Sequence, residues 1–107
     1  MPKSSRYVAS AKTGPQAGVL SPEQSRAARG WLGWSQDEFA KQANVALRTI
    51  ASFERGEIIP RPNNIAAMQR AIEEAGIRLV FDRTGMAAGI ARHNTDIDLA
   101  SFRYALR

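Results

Sequence analysis

SQDEFAKQANVALRTIASFERG, residues 35–56, is the stretch whose reading decides the fold. Its apolar residues fit neither one long helix nor a strand. Phe39, Ala40 and Ala43 keep helical spacing, the phase breaks at Asn44-Val45, and Ile50 and Phe53 open a second helical face. Ser35 with Glu38 three residues on is a capping box, so a helix begins at about Ser35. Asn44 tolerates the left-handed backbone that a tight reversal needs. A following helix covers roughly residues 46–55 and closes at Gly56. Two short helices joined this tightly cross steeply, and Ala40 is small enough to let them approach. Val45, Ile50 and Phe53 then anchor the second helix inward and leave its other face polar. Such a protruding helix fits the major groove of duplex DNA, which is about one helix wide.

Outward from this stretch the same reasoning sets the neighbouring elements. At 21–24, SPEQ reads as a helix start: Ser21 caps, Pro22 takes the first helical position and Gln24 completes a capping box. Ala27, Ala28, Trp31 and Leu32 follow at helical spacing, and Gly33 ends the helix. EIIPRP at 57–62 is loop, because each proline disfavours helix in the residue before it. Asn63 or Asn64 is expected to cap a fourth helix with a face of Ile65, Met68 and Ile72, ended by Gly76. Ile77, Leu79 and Phe81 then alternate with Arg78, Val80 and Asp82, as in a strand. DRTG at 82–85 is turn chemistry, and MAAGIAR at 86–92 is the returning strand. The fold expected is mainly α: a four-helix helix-turn-helix DNA-binding domain at residues 21–76 with a short C-terminal β-hairpin at 77–92. Residues 1–20 read as a flexible basic N-terminal tail. Residues 93–107 form a C-terminal segment suited to an oligomer or partner contact. There Leu99, Phe102 and Leu106 suit a helix, while Phe102, Tyr104 and Leu106 suit a strand.

Composition narrows the function. A chain of 107 residues holds one small domain plus tails. It has no cysteine, which excludes disulfides and thiolate metal sites. No apolar run reaches the length of a bilayer span, and the N-terminus has no stretch like a signal peptide's, so a cytoplasmic, nucleoid-associated protein is expected. With 15 Lys+Arg against 10 Asp+Glu the net charge is +5, which favours a polyanionic partner. Residues 1–20 carry Lys3, Arg6 and Lys12 and no acid, whereas residues 21–76 balance seven basic side chains against seven acidic. A basic surface on the domain must therefore come from asymmetry. His93, the only histidine, has no cysteine or carboxylate cluster beside it. Asp96 and Asp98 read as helix-start acids. Trp31 and Trp34 read as core side chains in preference to base-stacking platforms. Gly85 and Gly89 have no apolar span around them that would make a membrane packing motif. Neither a nucleophile–base pairing nor metal-ligand spacing is present, so no enzyme, catalytic residue, metal or cofactor is expected. No pocket is evident in the sequence.

Gln36, Glu38, Phe39-Ala40, Ala43, Val45, Ile50, Glu54 and Gly56 together resemble the phage repressor/Cro-type helix-turn-helix regulators, also called the XRE family. LGWSQDEFA at 32–40 and TIASFERGEIIPRP at 49–62 look like members in which a strand follows the fourth helix. The resemblance covers about residues 21–82. It implies sequence-specific binding to double-stranded DNA and regulation of transcription in a bacterium or phage, by blocking or recruiting RNA polymerase. Two positions depart from the pattern. Asn44 stands where the family commonly has glycine. Ala46 stands where it commonly has serine or threonine, which removes a cap worth about 1 kcal/mol and a hydroxyl that could meet phosphate.

In this motif the first turns of the second helix meet base edges, which selects Ala46, Leu47, Arg48, Thr49 and Ser52. The Arg48 fork can pair bidentately with guanine, and Leu47 suits a thymine methyl. The resemblance places Gln36 at a phosphate or base contact, at a helix N-terminus that favours phosphate. Arg55 and Arg61 flank the end of the helix, where backbone contact is expected. The resemblance also implies a structural ion pair between Arg29 and Glu54. One helix reads only a few base pairs, so a homodimer on two half-sites is expected, joined through the hairpin or the C-terminal segment. The alternative reading is the antitoxin of a toxin–antitoxin pair, with DIDLASFRYALR at 96–107 folding on a toxin protein.

Overall fold

Both capping boxes form, and each starts a helix. Ser21 Oγ accepts from the Gln24 amide, and Gln24 Oε1 accepts from the Ser21 amide, each at 3.0 Å, ahead of α1 (Pro22–Leu32). Ser35 and Glu38 make the same exchange at 2.9 and 2.7 Å ahead of α2 (Gln36–Ala43). Gly33 ends α1 in the left-handed region at φ 72°. The computed structural model describes residues 18–93. The expectations for residues 1–17 and 94–107, including Asp96, Asp98 and the C-terminal apolar residues, lie outside that range.

The turn after α2 is built on Asn44, which adopts φ 57° and ψ 47° and is the one described non-glycine residue with positive φ. Its amide donates to the Ala40 and Lys41 carbonyls, and the Val45 amide donates to Ala40 O at 3.0 Å. The chain then enters α3 (Leu47–Glu54), with Ala46 as an N-cap that offers no side-chain hydrogen bond. The fourth helix, α4 (Pro62–Glu74), starts earlier than expected. Its N-cap is Arg61, no side chain caps it, and Asn63 and Asn64 fall inside its first turn. The reason is Pro62: its fixed φ and missing N–H suit the first helical position.

Phe39, Ile50, Met68 and Ile72 meet in the core with Ala28 and Ala43, all at most 6% exposed. Trp34 stacks on Phe39 with ring centroids 5.8 Å apart. Trp31 corrects the sequence reading, for it is 58% exposed. The inward stripe of α1 runs through Ser25, Ala28 and the half-buried Leu32, and Trp31 stands off that stripe at the outer end of the helix.

β1 (Ile77–Phe81) and β2 (Ala87–Arg92) form the hairpin, antiparallel, with Leu79 opposite Ile90 and Val80 opposite Gly89. The register shifts between Val80 and Phe81. Asp82 organises the turn: its Oδ1 accepts from the Thr84 amide, the Thr84 hydroxyl and the Met86 amide at 2.8, 2.6 and 3.1 Å. Burial works against the ionised Asp82, but these hydrogen bonds outweigh it and hold its pKa below the usual value. The hairpin lies on α1 and α4, with Ile77 and Leu79 buried. Gln24 also ties α1 to it, its Nε2 donating to the Val80 and Gly89 carbonyls at 2.9 and 3.0 Å. Gly18–Leu20, the end of the expected tail, pack against the domain. Leu20 is 1% exposed, its amide donates to Gln69 Oε1 at 3.0 Å, and the Gly18 amide donates to Gly85 O at 2.8 Å.

Candidate nucleic-acid interface

The α3 helix has two unlike faces. Ile50, Phe53 and Glu54 point inward and are buried. Ala46, Leu47, Arg48 and Arg55 are exposed, and Thr49 and Ser52 are half-buried beside them. Leu47 is 45% exposed, unusual for a leucine in a domain whose other leucines are covered or partly covered. Arg48, Ser52 and Arg55 follow at i, i+4 and i+7, so they share one outward stripe.

The inward face is fixed by Glu54, whose side chain is 2% exposed. Arg29 meets it from α1 as a fork: Nη2 is 2.8 Å from Oε1, and Nε is 3.0 Å from Oε2. The Ser25 hydroxyl donates to Oε2 at 2.5 Å, and Gln36 Nε2 donates to Oε1 at 3.0 Å. Arg26 donates to the Glu54 carbonyl, and Arg29 Nη1 also donates to Trp34 O at 3.1 Å. Burial alone would raise the Glu54 pKa. The hydrogen bonds from Arg29, Ser25 and Gln36, with the Arg29 charge, more than offset it and hold the carboxyl below the usual range. The Arg29 guanidinium is raised chiefly by the hydrogen bonds to Glu54. One buried carboxylate thus joins α1, the α1–α2 turn, the start of α2 and the end of α3. Removing one partner of such a pair leaves a buried charge uncompensated.

Of the expected contact residues, the structure gathers Ala46, Leu47, Arg48, Thr49, Ser52 and Arg55 on one helix. Arg61 is exposed at the start of α4. Gln36 sits at the first position of α2 with its amide donating to Glu54. Glu57 was not singled out from the sequence. It pairs with Arg55 through Nε–Oε2 at 2.9 Å and Nη2–Oε1 at 3.0 Å. The pairing depends on the left-handed turn at Gly56, φ 77°, which spacing alone does not reveal. Ser25 and Arg26 were also missed. Ser25 stands one turn before Arg29 on the same face of α1, and that was the available signal. The expectation of no pocket is corrected as well. An open apolar groove of about 890 Å³ runs past Leu20, Phe53, Ile58, Ile59 and Ile65. Its lining comes chiefly from residues 19–20, the 56–60 loop and α4, which composition does not bring together.

Among the described residues, no helix is long and apolar enough to cross a membrane. Residues 26–75 match a family model described as helix-turn-helix. No curated protein matches the chain. The match runs from the second turn of α1 to the cap of α4 and so takes in the Glu54 network apart from Ser25, the Asn44 turn and the whole of α3. Residues 26–75 are therefore a helix-turn-helix domain of the repressor/Cro, or XRE, type, the DNA-binding module of transcription regulators.

Proposed function

We propose that this protein recognises a specific duplex sequence by laying α3 in the major groove and regulates transcription by occupying that site. The observation that carries the reading is the opposition of faces on α3: a buried, ion-paired inner side and an outer stripe of Arg48, Ser52 and Arg55 flanked by exposed Ala46 and Leu47. In this reading Arg48 pairs with a guanine edge and Leu47 meets a thymine methyl. Thr49 and Ser52 hydroxyls contact neighbouring bases or the near phosphates. Gln36, at the N-terminus of α2, keeps one amide hydrogen on Glu54 and has the second, with the backbone N–H groups of the helix end, to donate to a phosphate. Arg55 and Arg61 grip phosphates and add affinity without choosing sequence. Two copies acting on half-sites about one helical turn apart supply the remaining selectivity.

Selection of bound duplexes from a random-sequence library by the full chain tests the proposal. Enrichment of a short motif repeated with two-fold symmetry is expected. A bound pool no different from the starting pool would remove sequence-specific recognition.

A further inference from the structure

The last turn of α3 carries an arrangement that base reading does not need. Arg55 caps the helix, and the chain reverses at Gly56. The Gly56 amide donates to Phe53 O at 2.8 Å, and the Glu57 amide donates to Ser52 O at 2.9 Å. This reversal swings the Glu57 carboxylate onto the Nε and Nη2 edge of the Arg55 guanidinium, at 2.9 and 3.0 Å. Nη2 is also 3.5 Å from Ser52 Oγ. The cation at the end of the outward stripe therefore already holds an anion. Both side chains are more than half exposed, at 59% and 54%, so the pair lies in water and can exchange partners.

Two features give this consequence for DNA. First, a guanidinium grips carboxylate and phosphate with the same planar fork, so the two compete for one edge. Second, Glu57 is an exposed glutamate, ionised at neutral pH as any such carboxyl is, and the Arg55 hydrogen bonds lower its pKa further. The neighbouring acids are placed differently: Glu54 is buried in its own network, and Asp37 is paired with Lys41 one turn along α2. Glu57 is thus the carboxylate set against a cation of the reading helix.

We infer that Glu57 competes with DNA phosphate for Arg55 and thereby holds down the sequence-independent affinity of the domain. The inference rests on the DNA-binding reading above. An arginine fully engaged with phosphate adds to binding on any duplex; an arginine that must first release a carboxylate adds less. The protein then spends less time on random DNA, while Arg48, a turn or two away, keeps its access to bases.

The test uses the full chain and a mixed-sequence duplex, with affinity measured across a salt series. Glu57→Gln is expected to bind several-fold more tightly at low salt. Its slope of log affinity against log salt should steepen by up to about 0.9, the value of one added phosphate contact. In an Arg55→Ala background the same substitution is expected to change neither affinity nor slope. Glu57→Ala serves as a second variant, and equal thermal midpoints show that both are folded. An unchanged or weaker Glu57→Gln complex overturns the inference, as does a gain that persists without Arg55. A wild-type chain with no salt-dependent binding at all would instead remove the DNA-binding reading itself.

Discussion

Arg48 and Glu54 show how differently single residues serve this helix. Arg48 touches solvent, and its value lies in what it meets. Arg48→Ala should weaken binding to the selected duplex by about 1–3 kcal/mol more than binding to random duplex, the discrimination of a bidentate base contact. Equal losses on both, in a competition assay, would reassign it to the phosphate backbone. Glu54 is covered, and its value lies in what it holds. Arg29→Ala should destabilise the fold by about 3–5 kcal/mol, as expected when one partner of a buried pair is removed. A double-mutant cycle with Glu54→Gln, read by thermal unfolding, should be far from additive; additive losses would contradict the pairing. The pH dependence follows from the lowered Glu54 pKa. Its contribution is complete above the ordinary carboxylate value of 4.5 and is lost as pH falls through the lower folded value. The gap in thermal midpoint between wild type and Glu54→Gln should therefore narrow on acidification. The Arg29–Glu54 partnership was legible through the family resemblance. The convergence of Ser25 and Gln36 on the same carboxylate was not, because it depends on where three helices meet. Trp31 misled for the opposite reason: its spacing from Ala28 suits the core, but the inward stripe passes beside it through Ser25, Ala28 and Leu32.

At the scale of elements, the turns and caps were the most readable features, because their chemistry is local. Ser21 with Gln24, Ser35 with Glu38, and Asn44 each perform the role that their side chain or backbone tolerance suggests. The exceptions are also local in cause. Pro62 set the start of α4 ahead of two good capping residues, and Gln24 took a second task on the hairpin that no pattern near residue 24 announces. Like α4, the helix that reads DNA in this account lacks a side-chain cap: Ala46 leaves the first amides of α3 without a side-chain partner. Ala46→Ser should therefore raise stability by about 0.5–2 kcal/mol, visible as a higher thermal midpoint. The hydroxyl would also stand where a phosphate is expected to pass. A stabilised variant with unchanged DNA affinity would mean that no phosphate passes there.

At the scale of the molecule, the domain is assembled so that α3 is supported from behind and open in front. Leu20, Ile77 and Leu79 extend the core beyond the four helices, so the hairpin and residues 18–20 brace α1 and α4. Leu20 escaped the sequence reading because two adjacent apolar residues, Val19 and Leu20, have no period to detect. The hairpin presents one face to its own helices through Ile77 and Leu79. Sedimentation of the full chain should give a dimer at the concentrations that bind a two-fold site; a monomer bound to a single half-site would contradict the proposed pairing. The central claim, that α3 is the element that enters DNA, is tested most directly by titrating the selected duplex into isotope-labelled full chain and mapping amide shifts. The largest changes are expected at Gln36, at residues 46–49, and at Ser52 and Arg55, with little change across Ile77–Arg92. Shifts concentrated on the hairpin, with residues 46–55 undisturbed, would contradict the account.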